Sequence, residues 1–287
     1  MKFERKITKF GFVCVDKPSG VSSSFVVNKI KRLTGQPCGH MGTLDPMASG
    51  VLPVGVGNAT RLFDYFLQKK KNYLAEFLFG VDSDTLDTTG ELVFGGRIPT
   101  AEEIQSVLPS LTGEVLQTPP KYSAKNVGGK RGYQLARAGV DFVLEPKKVL
   151  ISEIRLLGKG ERENSYSFLI DCGAGTYIRS IARDLGEALG TKGVMSALKR
   201  EKSGIFEIAN AVPMSALTEE NIAEYILPTE DVLPFEKLYF KENDRVFNGL
   251  FQKTELADGE YKAYRGDEFY GIAEVKSGAV KIKTKLC

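Results

Sequence analysis

The chain has 287 residues, 42% of them hydrophobic and 26% charged, with a formal net charge of +3. This composition is typical of a globular protein, and the length suits one large domain or two unequal ones. No apolar run approaches the roughly 20 residues that a membrane-spanning helix needs, and the charged segment at residues 1–10 lacks the apolar core of a signal peptide, so we expect a cytoplasmic protein that is neither secreted nor membrane-bound.

Short strands and short helices are predicted in the first half of the chain. Ser23 begins a helix whose apolar residues recur at helical spacing and which ends before Gly35. Thr100 and Glu103 have the spacing of a capping box, which predicts a helix that ends near Leu108. The other elements predicted here are strands at 12–15, 51–56 and 73–79 and a helix near 59–66.

The second half is predicted to contain strands at 149–157 and 166–172, a helix at about 176–190, and a change of texture after Pro228. Beyond that residue, short alternating segments are broken by turn dipeptides such as Asn248-Gly249. Because strands and helices do not alternate regularly, we expect an α+β fold with a mixed, largely antiparallel sheet. The predicted domains are 1–228 and a small β-rich domain at 229–287.

The sequence has few residues suited to metal binding. Its four cysteines are scattered without any C-x-x-C spacing, and His40 is the only histidine. A zinc site needs about four such ligands at tight spacings, and no G-x-x-x-x-G-K-[ST] phosphate loop occurs. We therefore expect no structural zinc site and no chemistry driven by a nucleotide.

Residues 117–137 contain five basic residues, two interleaved tyrosines (Tyr122 and Tyr133) and no acidic residue. Basic residues can contact phosphates, and aromatic rings can stack on bases. A solvated flexible loop is the other interpretation of the same composition.

Residues 39–53 hold the densest motif of the chain. Glycines at 39, 42 and 50 permit tight turns, and Asp45-Pro46 places a carboxylate in a restricted loop conformation. Such a carboxylate suits a nucleophile or a base. Taken alone, an Asp-Pro turn is more typical of a purely structural turn.

Five blocks, in order along nearly the whole chain, resemble the bacterial tRNA pseudouridine-55 synthase (TruB) family, with a C-terminal segment that resembles a PUA domain. The blocks are Asp16-Lys17-Pro18-Ser19-Gly20; Gly39-His40 with Gly42-Thr43-Leu44-Asp45-Pro46; Lys71-Asn72-Tyr73 with Asp82-Ser83-Asp84-Thr85-Leu86-Asp87-Thr88-Thr89-Gly90; Pro119-Pro120-Lys121-Tyr122-Ser123-Ala124 with Tyr133-Gln134-Leu135-Ala136-Arg137; and Gly175-Thr176-Tyr177-Ile178-Arg179-Ser180 with Ala197-Leu198, Arg200 and Gly204. Three positions depart from the family pattern, namely Met41, Ser49 and the pair Lys125-Asn126.

The resemblance implies the pseudouridine synthase fold and an enzyme that isomerises the T-loop uridine of tRNA without cofactor or metal. It implies that Asp45 is the essential carboxylate, that Tyr73 stacks on the flipped base and moves a proton, and that Arg179 pairs with Asp45. The positions that it implies for substrate binding or loop ordering are Lys17, His40, Tyr177 and Leu198. We further expect a monomer whose basic insertion at about 117–148 grips the T-loop, with Lys130 and Arg131 of the basic segment meeting its phosphates.

Two other functions are compatible with the motifs. One is a non-catalytic RNA-binding or tRNA-folding chaperone, against which the presence of Asp45 argues. The other is a guide-RNA-directed relative, and the compact N-terminus favours an enzyme that works without guide RNA. Without the family pattern, Tyr73 reads as a half-buried sheet residue, Arg179 as an exposed helix residue and Lys17 as a turn charge.

We predict that replacing both Lys130 and Arg131 with alanine weakens tRNA binding. The slope of log binding constant against log salt concentration should become shallower by roughly one to two units, because fewer counterions are released when fewer phosphates are neutralised. The rate at saturating RNA should change little. Binding measured over a series of salt concentrations tests this, and an unchanged slope would identify the segment as a solvated loop.

Overall fold

A computed structural model describes residues 10–123 and 125–287. Residues 1–9 and Ala124 lie outside the described residues. The prediction that the charged segment at 1–10 is not a signal peptide falls mostly on residues 1–9. The helices are α1 (Ser23–Thr34), α2 (Phe63–Leu67), α3 (Ala101–Val107), α4 (Gly132–Arg137) and α5 (Ile178–Ala188). No helix in the described part of the chain is long and apolar enough to cross a membrane.

Strands account for most of the remaining regular structure. Those of the first half are β1 (Gly11–Lys17), β2 (Cys38–His40), β3 (Ser49–Val56), β4 (Lys71–Phe79), β5 (Val81–Ser83), β6 (Leu92–Phe94), β7 (Gly113–Gln117), β8 (Asn126–Val127) and β9 (Lys130–Arg131). Those of the second half are β10 (Lys147–Lys159), β11 (Ser165–Cys172), β12 (Gly193–Ser203), β13 (Phe206–Glu207), β14 (Val212–Pro213), β15 (Leu227–Pro228), β16 (Lys237–Phe240), β17 (Gln252–Lys253), β18 (Gly259–Arg265), β19 (Glu268–Lys276) and β20 (Ala279–Lys285).

A large mixed sheet forms the centre of the molecule, with the strand order β14-β1-β3-β12-β4-β11-β10-β7. The pairs β1–β14 and β3–β12 are parallel, whereas the other pairs along this order are antiparallel. The prediction of an α+β fold with a mixed, largely antiparallel sheet is therefore confirmed.

Strand β4 lies in the middle of this sheet and shows why the alternating sequence becomes a strand. Tyr73, Ala75, Phe77 and Phe79 are all buried in the main hydrophobic core. Its two neighbours are β11 and β12, so Tyr73 pairs with Ile170 on one side and with Arg200 on the other. Side chains of directly paired residues share a face of the sheet, which places Tyr73 and Arg200 side by side.

Helix α1 begins at Ser23 as predicted, with Ser22 as its N-cap, and α3 follows the predicted capping residue Thr100. The Ser22 side chain accepts a hydrogen bond from the Phe25 amide, and Gly35 in the left-handed conformation ends α1. Thr100 and Glu103 form the predicted capping box of α3. The helix predicted near 59–66 is instead a 3₁₀ turn at Gly57–Leu62 followed by α2.

Helix α5 packs closely against the sheet because glycines face each other at the contact. A Cβ atom on Gly186 would lie 2.5 Å from the backbone nitrogen of Gly193 in β12, so only glycine permits this approach. The first turn of α5 carries Arg179, which is buried. The close packing therefore places Arg179 against the face of the central sheet on which α5 lies.

The predicted insertion contains a small hairpin and one helix. Strands β8 and β9 pair around Gly128 and Gly129, which both have positive φ, and α4 follows directly. Lys130 and Arg131 are exposed on β9. The role of this insertion in gripping RNA stays a prediction.

The C-terminal segment forms a separate five-stranded sheet with the order β16-β18-β19-β20-β17 and its own apolar core. A second apolar cluster joins it to the main sheet, since Ile272 and Leu286 pack in one cluster with Phe12 and Phe206. The Arg61 side chain also donates a hydrogen bond to the Lys285 carbonyl. The predicted small β-rich domain is confirmed, while the boundary between residues 228 and 229 stays a prediction.

Candidate active site

Asp45 lies on the loop that joins β2 to β3, and we call residues 41–48 the Asp45 loop. Ser23, at the start of α1, holds this loop through two hydrogen bonds to Leu44: its hydroxyl accepts from the Leu44 amide at 2.9 Å and donates to the Leu44 carbonyl at 2.8 Å. The Ser19 hydroxyl donates to the Met47 carbonyl at 2.6 Å. The loop is irregular, yet its backbone is held from several sides.

Lys17, the last residue of β1, binds the same loop. It is 0% exposed, and its ammonium donates hydrogen bonds to the carbonyls of Pro18, Val21 and Pro46. Burial lowers the pKa of Lys17 to about 8, and the nearby Asp45 carboxylate opposes this shift. The geometry supports loop ordering, the second of the two roles that the resemblance implies for Lys17, and leaves no surface of the side chain to contact RNA.

Arg179 pairs with Asp45 through two parallel contacts. Its Nε lies 2.9 Å from Asp45 Oδ2, and its terminal NH2 group donates to Asp45 Oδ1 at 3.1 Å. The arginine side chain is 7% exposed and that of Asp45 is 32% exposed. This bidentate geometry fixes the orientation of the carboxylate as well as its position, and one side of Asp45 remains open to a ligand.

The remaining donors of Arg179 bind two other segments. One terminal nitrogen donates to the Thr85 carbonyl and the other to the Tyr122 carbonyl, both at 3.0 Å. Tyr122 belongs to the insertion, so a single guanidinium joins the Asp45 loop, the segment after β5 and the insertion.

Asp87 is a second carboxylate near Arg179, with its Oδ2 3.7 Å from the arginine Nε. It is buried, and its other oxygen accepts hydrogen bonds from the Thr85 hydroxyl, the Thr89 amide and the Thr89 hydroxyl. These bonds hold Asp87 against the guanidinium.

Tyr73 on β4 is buried and Tyr177, which precedes α5, is partly buried, and the charge of Asp45 adds to the rise in the pKa of each. Burial raises the pKa of both tyrosines, so both phenols are protonated near neutral pH. The charge of Arg200 opposes the shift at Tyr73. The Tyr177 backbone is held by Gln117, whose side chain bonds its amide and its carbonyl.

His40 lies on β2 and Leu198 on β12. Burial lowers the pKa of His40, with a further contribution from the charge of Arg200, so its imidazole is neutral near pH 7. Its buried Nδ1 has no hydrogen-bond partner among the described residues. Leu198 is buried in the main core and pairs with Ala75 on β4. In contrast, Lys130 and Arg131 lie on the exposed hairpin of the insertion.

A cleft is lined by Asp84 and Leu86, by residues of 118–121 and of 141–144, and by Arg183, and neither Asp45 nor Arg179 is among its lining residues. The Arg183 guanidinium donates to the Thr118 carbonyl at 3.0 Å. Within residues 10–123 and 125–287, no cluster of three or more His, Cys, Asp or Glu side chains could hold a metal ion.

Three groups of this site were not assigned from the sequence: Asp87, the Tyr122 carbonyl and Arg200. Asp87 and Arg200 both stand within recognised motif blocks, which is the signal that could have identified them. A backbone carbonyl gives no such signal, because any residue supplies one.

Sequence comparisons place the chain among known proteins. A model of the N-terminal domain of the TruB family of pseudouridylate synthases matches residues 31–178, and a model of the tRNA pseudouridylate synthase B C-terminal domain matches residues 179–234. The chain is 36% identical over 285 residues to tRNA pseudouridine synthase B of Aquifex aeolicus, covering 96% of this chain and 99% of that one. It is 38% identical over 286 residues to the protein of the same name from Clostridium kluyveri, covering 95% and 98%.

Solved structures show the same fold. The chain resembles one in a Cbf5–Nop10–Gar1 complex with a TM-score of 0.71 and 24% identity, covering 97% of this chain and 85% of that one. It also resembles a chain of an H/ACA RNP bound to a substrate RNA containing 2′-deoxyuridine, with a TM-score of 0.69, 24% identity and the same coverage. At this identity the likeness establishes the fold.

The contact between Asp87 and Arg179 predicts energetic coupling. A double-mutant cycle of Asp87→Asn and Arg179→Met, measured by denaturant unfolding, should give an interaction free energy of about 0.5–3 kcal/mol, because the two buried charged groups are in contact. The cycle of Asp184→Asn with Arg179→Met is the control, since Asp184 pairs with Arg183 instead. Equal coupling in both cycles would contradict a specific interaction of Asp87 with Arg179.

Proposed function

Because the chain belongs to the TruB family of pseudouridylate synthases, we propose that it isomerises the T-loop uridine of tRNA, at position 55, to pseudouridine. The relatives named tRNA pseudouridine synthase B support tRNA as the substrate. The observation that carries the proposal is the bidentate Asp45–Arg179 pair on a loop whose backbone is held by buried groups.

The proposed reaction is an internal rearrangement of one nucleotide. The N1–C1′ bond of the uridine breaks, the uracil turns, and a C5–C1′ bond forms. The proton on C5 is lost and N1 gains one, so the atoms balance without an oxidant, a reductant or a second substrate. Carboxylate, phenol and guanidinium groups therefore suffice, and we expect no metal and no cofactor.

Asp45 is the proposed essential carboxylate. A carboxylate can act on the nucleotide as nucleophile or as base, provided that it is held at the reacting atom. Two hydrogen bonds from Arg179 orient it, and its side chain keeps an exposed portion through which a nucleotide can approach. Lys17 and Ser23 hold the backbone on either side, so that the approach geometry is set before RNA binds.

A uridine within a folded tRNA arm has to leave its stack to reach Asp45. Extrusion costs a few kcal/mol, and an aromatic ring returns about 1–3 kcal/mol by stacking on the base. We propose that Tyr73 is this ring and that its protonated phenol moves a proton during the reaction. Tyr177, His40 and Leu198 then line the space that the extruded nucleotide occupies.

We propose that the insertion and the C-terminal domain hold the rest of the tRNA. The insertion presents Lys130 and Arg131 on an exposed hairpin, where phosphates can reach them. The segment 229–287 contains 10 basic and 11 acidic residues and has a net charge of −1, so a PUA-like domain formed by it should contribute little electrostatic affinity. We expect a cytoplasmic monomer.

The test is incubation of the purified protein with an unmodified tRNA transcript, without guide RNA or another protein, followed by mapping of pseudouridine at single-nucleotide resolution. We expect one product, at position 55 of the T-loop. Asp45→Asn keeps the shape of the side chain but removes the charged oxygen, so it should bind the transcript with unchanged affinity and form no product. Turnover by this variant close to that of the parent would remove Asp45 from the mechanism.

The same assay separates the rival functions. Binding and tRNA folding without any pseudouridine, in parent and variant alike, would identify a chaperone. Product that appears only after a guide RNA is added would identify a guide-directed enzyme.

Two substitutions test the role of Tyr73. Tyr73→Phe keeps the ring and should bind RNA nearly normally, yet lose turnover, because the hydroxyl that moves the proton is absent. Tyr73→Leu should also weaken formation of the complex with the extruded base. Single-turnover rate, RNA affinity and melting temperature are measured for both variants.

A tyrosine that only packs the sheet would behave differently. The Phe variant would then be fully active, and the Leu variant would lose activity only in proportion to its loss of melting temperature. Either result would reject the corresponding role of the Tyr73 side chain.

A further inference from the structure

Arg200 is the largest side chain buried to this degree in the described part of the chain, with 1% of its surface exposed. Its guanidinium donates hydrogen bonds to three backbone carbonyls: Nε to Val51 at 2.7 Å, one terminal nitrogen to Gly42 at 3.1 Å and the other to Thr43 at 3.4 Å. None of the ion pairs within residues 10–123 and 125–287 includes Arg200. A buried guanidinium is costly unless its donors are satisfied, and here backbone oxygens satisfy them.

The three carbonyls lie on the two sides of Asp45 in the sequence. Gly42 and Thr43 precede Asp45 in the Asp45 loop, whereas Val51 follows that loop in β3. One rigid planar group therefore fixes the distance between the two ends of the segment that carries the carboxylate. Lysine could not reproduce this arrangement, because its ammonium is a point charge on a flexible stem.

The backbone of Arg200 is placed as closely as its side chain. Arg200 pairs with Gly50 of β3 on one side and with Tyr73 of β4 on the other. A Cβ atom on Gly50 would lie 2.3 Å from the Arg200 carbonyl oxygen, and Gly50 has a φ of +96°, so glycine is required here. Arg200 thus stands between the strand that ends the Asp45 loop and the strand that carries Tyr73.

We propose that Arg200 is a positioning residue of the pseudouridine synthase reaction. It holds the Asp45 loop at a fixed position relative to Tyr73, so that the Asp45 carboxylate and the Tyr73 ring contact the same nucleotide. This inference rests on the proposed function for its catalytic consequence. The structural part, that one guanidinium bonds backbone carbonyls on both sides of Asp45 in addition to the contacts of Ser19, Ser23 and Lys17, stands on the contacts alone.

Hydrogen exchange of the unaltered protein tests the structural part. The Leu44 amide bonds the Ser23 hydroxyl, and the Ala48 amide bonds the Asp45 carbonyl. A loop that Arg200 holds closed should keep both amides as slow to exchange as those of β3. Rapid exchange of both, with β3 still protected, would show that the loop opens on its own and would overturn the inference without any variant.

Arg200→Lys keeps the charge and removes the planar set of donors. Relative to the parent, we expect faster exchange at Leu44 and Ala48, unchanged exchange in β18–β20, and a rate at saturating tRNA about a hundredfold lower, since small displacements of reacting groups have effects of this size. The KM for tRNA should stay within about threefold, because the residue touches no RNA.

The matched control is Glu76→Gln, at another buried charged residue of the same sheet. Glu76 accepts hydrogen bonds from the Ser196 hydroxyl and the Glu161 amide, and it does not contact the Asp45 loop. This variant should lower the melting temperature and keep the rate of the parent. All rates are measured at least about 15 °C below each melting temperature, so that every variant is folded.

Three results would separate the possibilities. A full rate for Arg200→Lys, or equal loss of rate in both variants, would overturn the positioning role. Absence of pseudouridine with the parent protein would refute the proposed function instead, and the exchange measurements at Leu44 and Ala48 would still decide whether Arg200 holds the loop.

Discussion

The pairing of one guanidinium with one half-exposed carboxylate is the interaction on which the arrangement of this molecule depends. Arg179 can reach Asp45 only because α5 packs closely on β12 at Gly186 and because the Asp45 loop rises to meet it. The two residues are 134 positions apart in the chain. The central sheet therefore serves to bring α5 and the loop between β2 and β3 to the same point.

Two buried cations, Lys17 and Arg200, hold the backbone of the Asp45 loop without an ion pair to a carboxylate. Each donates hydrogen bonds to three backbone carbonyls, so peptide dipoles stabilise its charge. This choice leaves Asp45 free for Arg179 and for a ligand, whereas a direct ion pair with either cation would engage the carboxylate. The cost is visible in the pKa of Lys17, which burial lowers to about 8. Burying the Lys17 ammonium costs desolvation free energy, and the hydrogen bonds of this ammonium hold the loop rigid.

Local features were predictable and long-range ones were not. The caps at Ser22 and Thr100 and the alternation along β4 act within a few residues, so the sequence alone indicates α1, α3 and that strand. The placement of β12 between β3 and β4 joins distant parts of the chain and leaves no local pattern. Motif blocks identified Asp45, Tyr73 and Arg179 as candidates without showing what surrounds them. A turn charge and a buried loop-holding lysine look identical in sequence, and only the fold distinguishes them at Lys17.

The contact of Arg179 with the Tyr122 carbonyl connects the two halves of the proposed function. Tyr122 lies at the start of the insertion, and the exposed hairpin with Lys130 and Arg131 lies a few residues further on. The base of the segment that carries this hairpin is therefore bonded to the same guanidinium that orients Asp45. Arg179 thus contacts the Asp45 loop, Thr85 and the insertion at once. A lysine has three N–H donors on a single nitrogen, so it could not make these four contacts, two of them parallel to one carboxylate, which is a physical reason for arginine at this position.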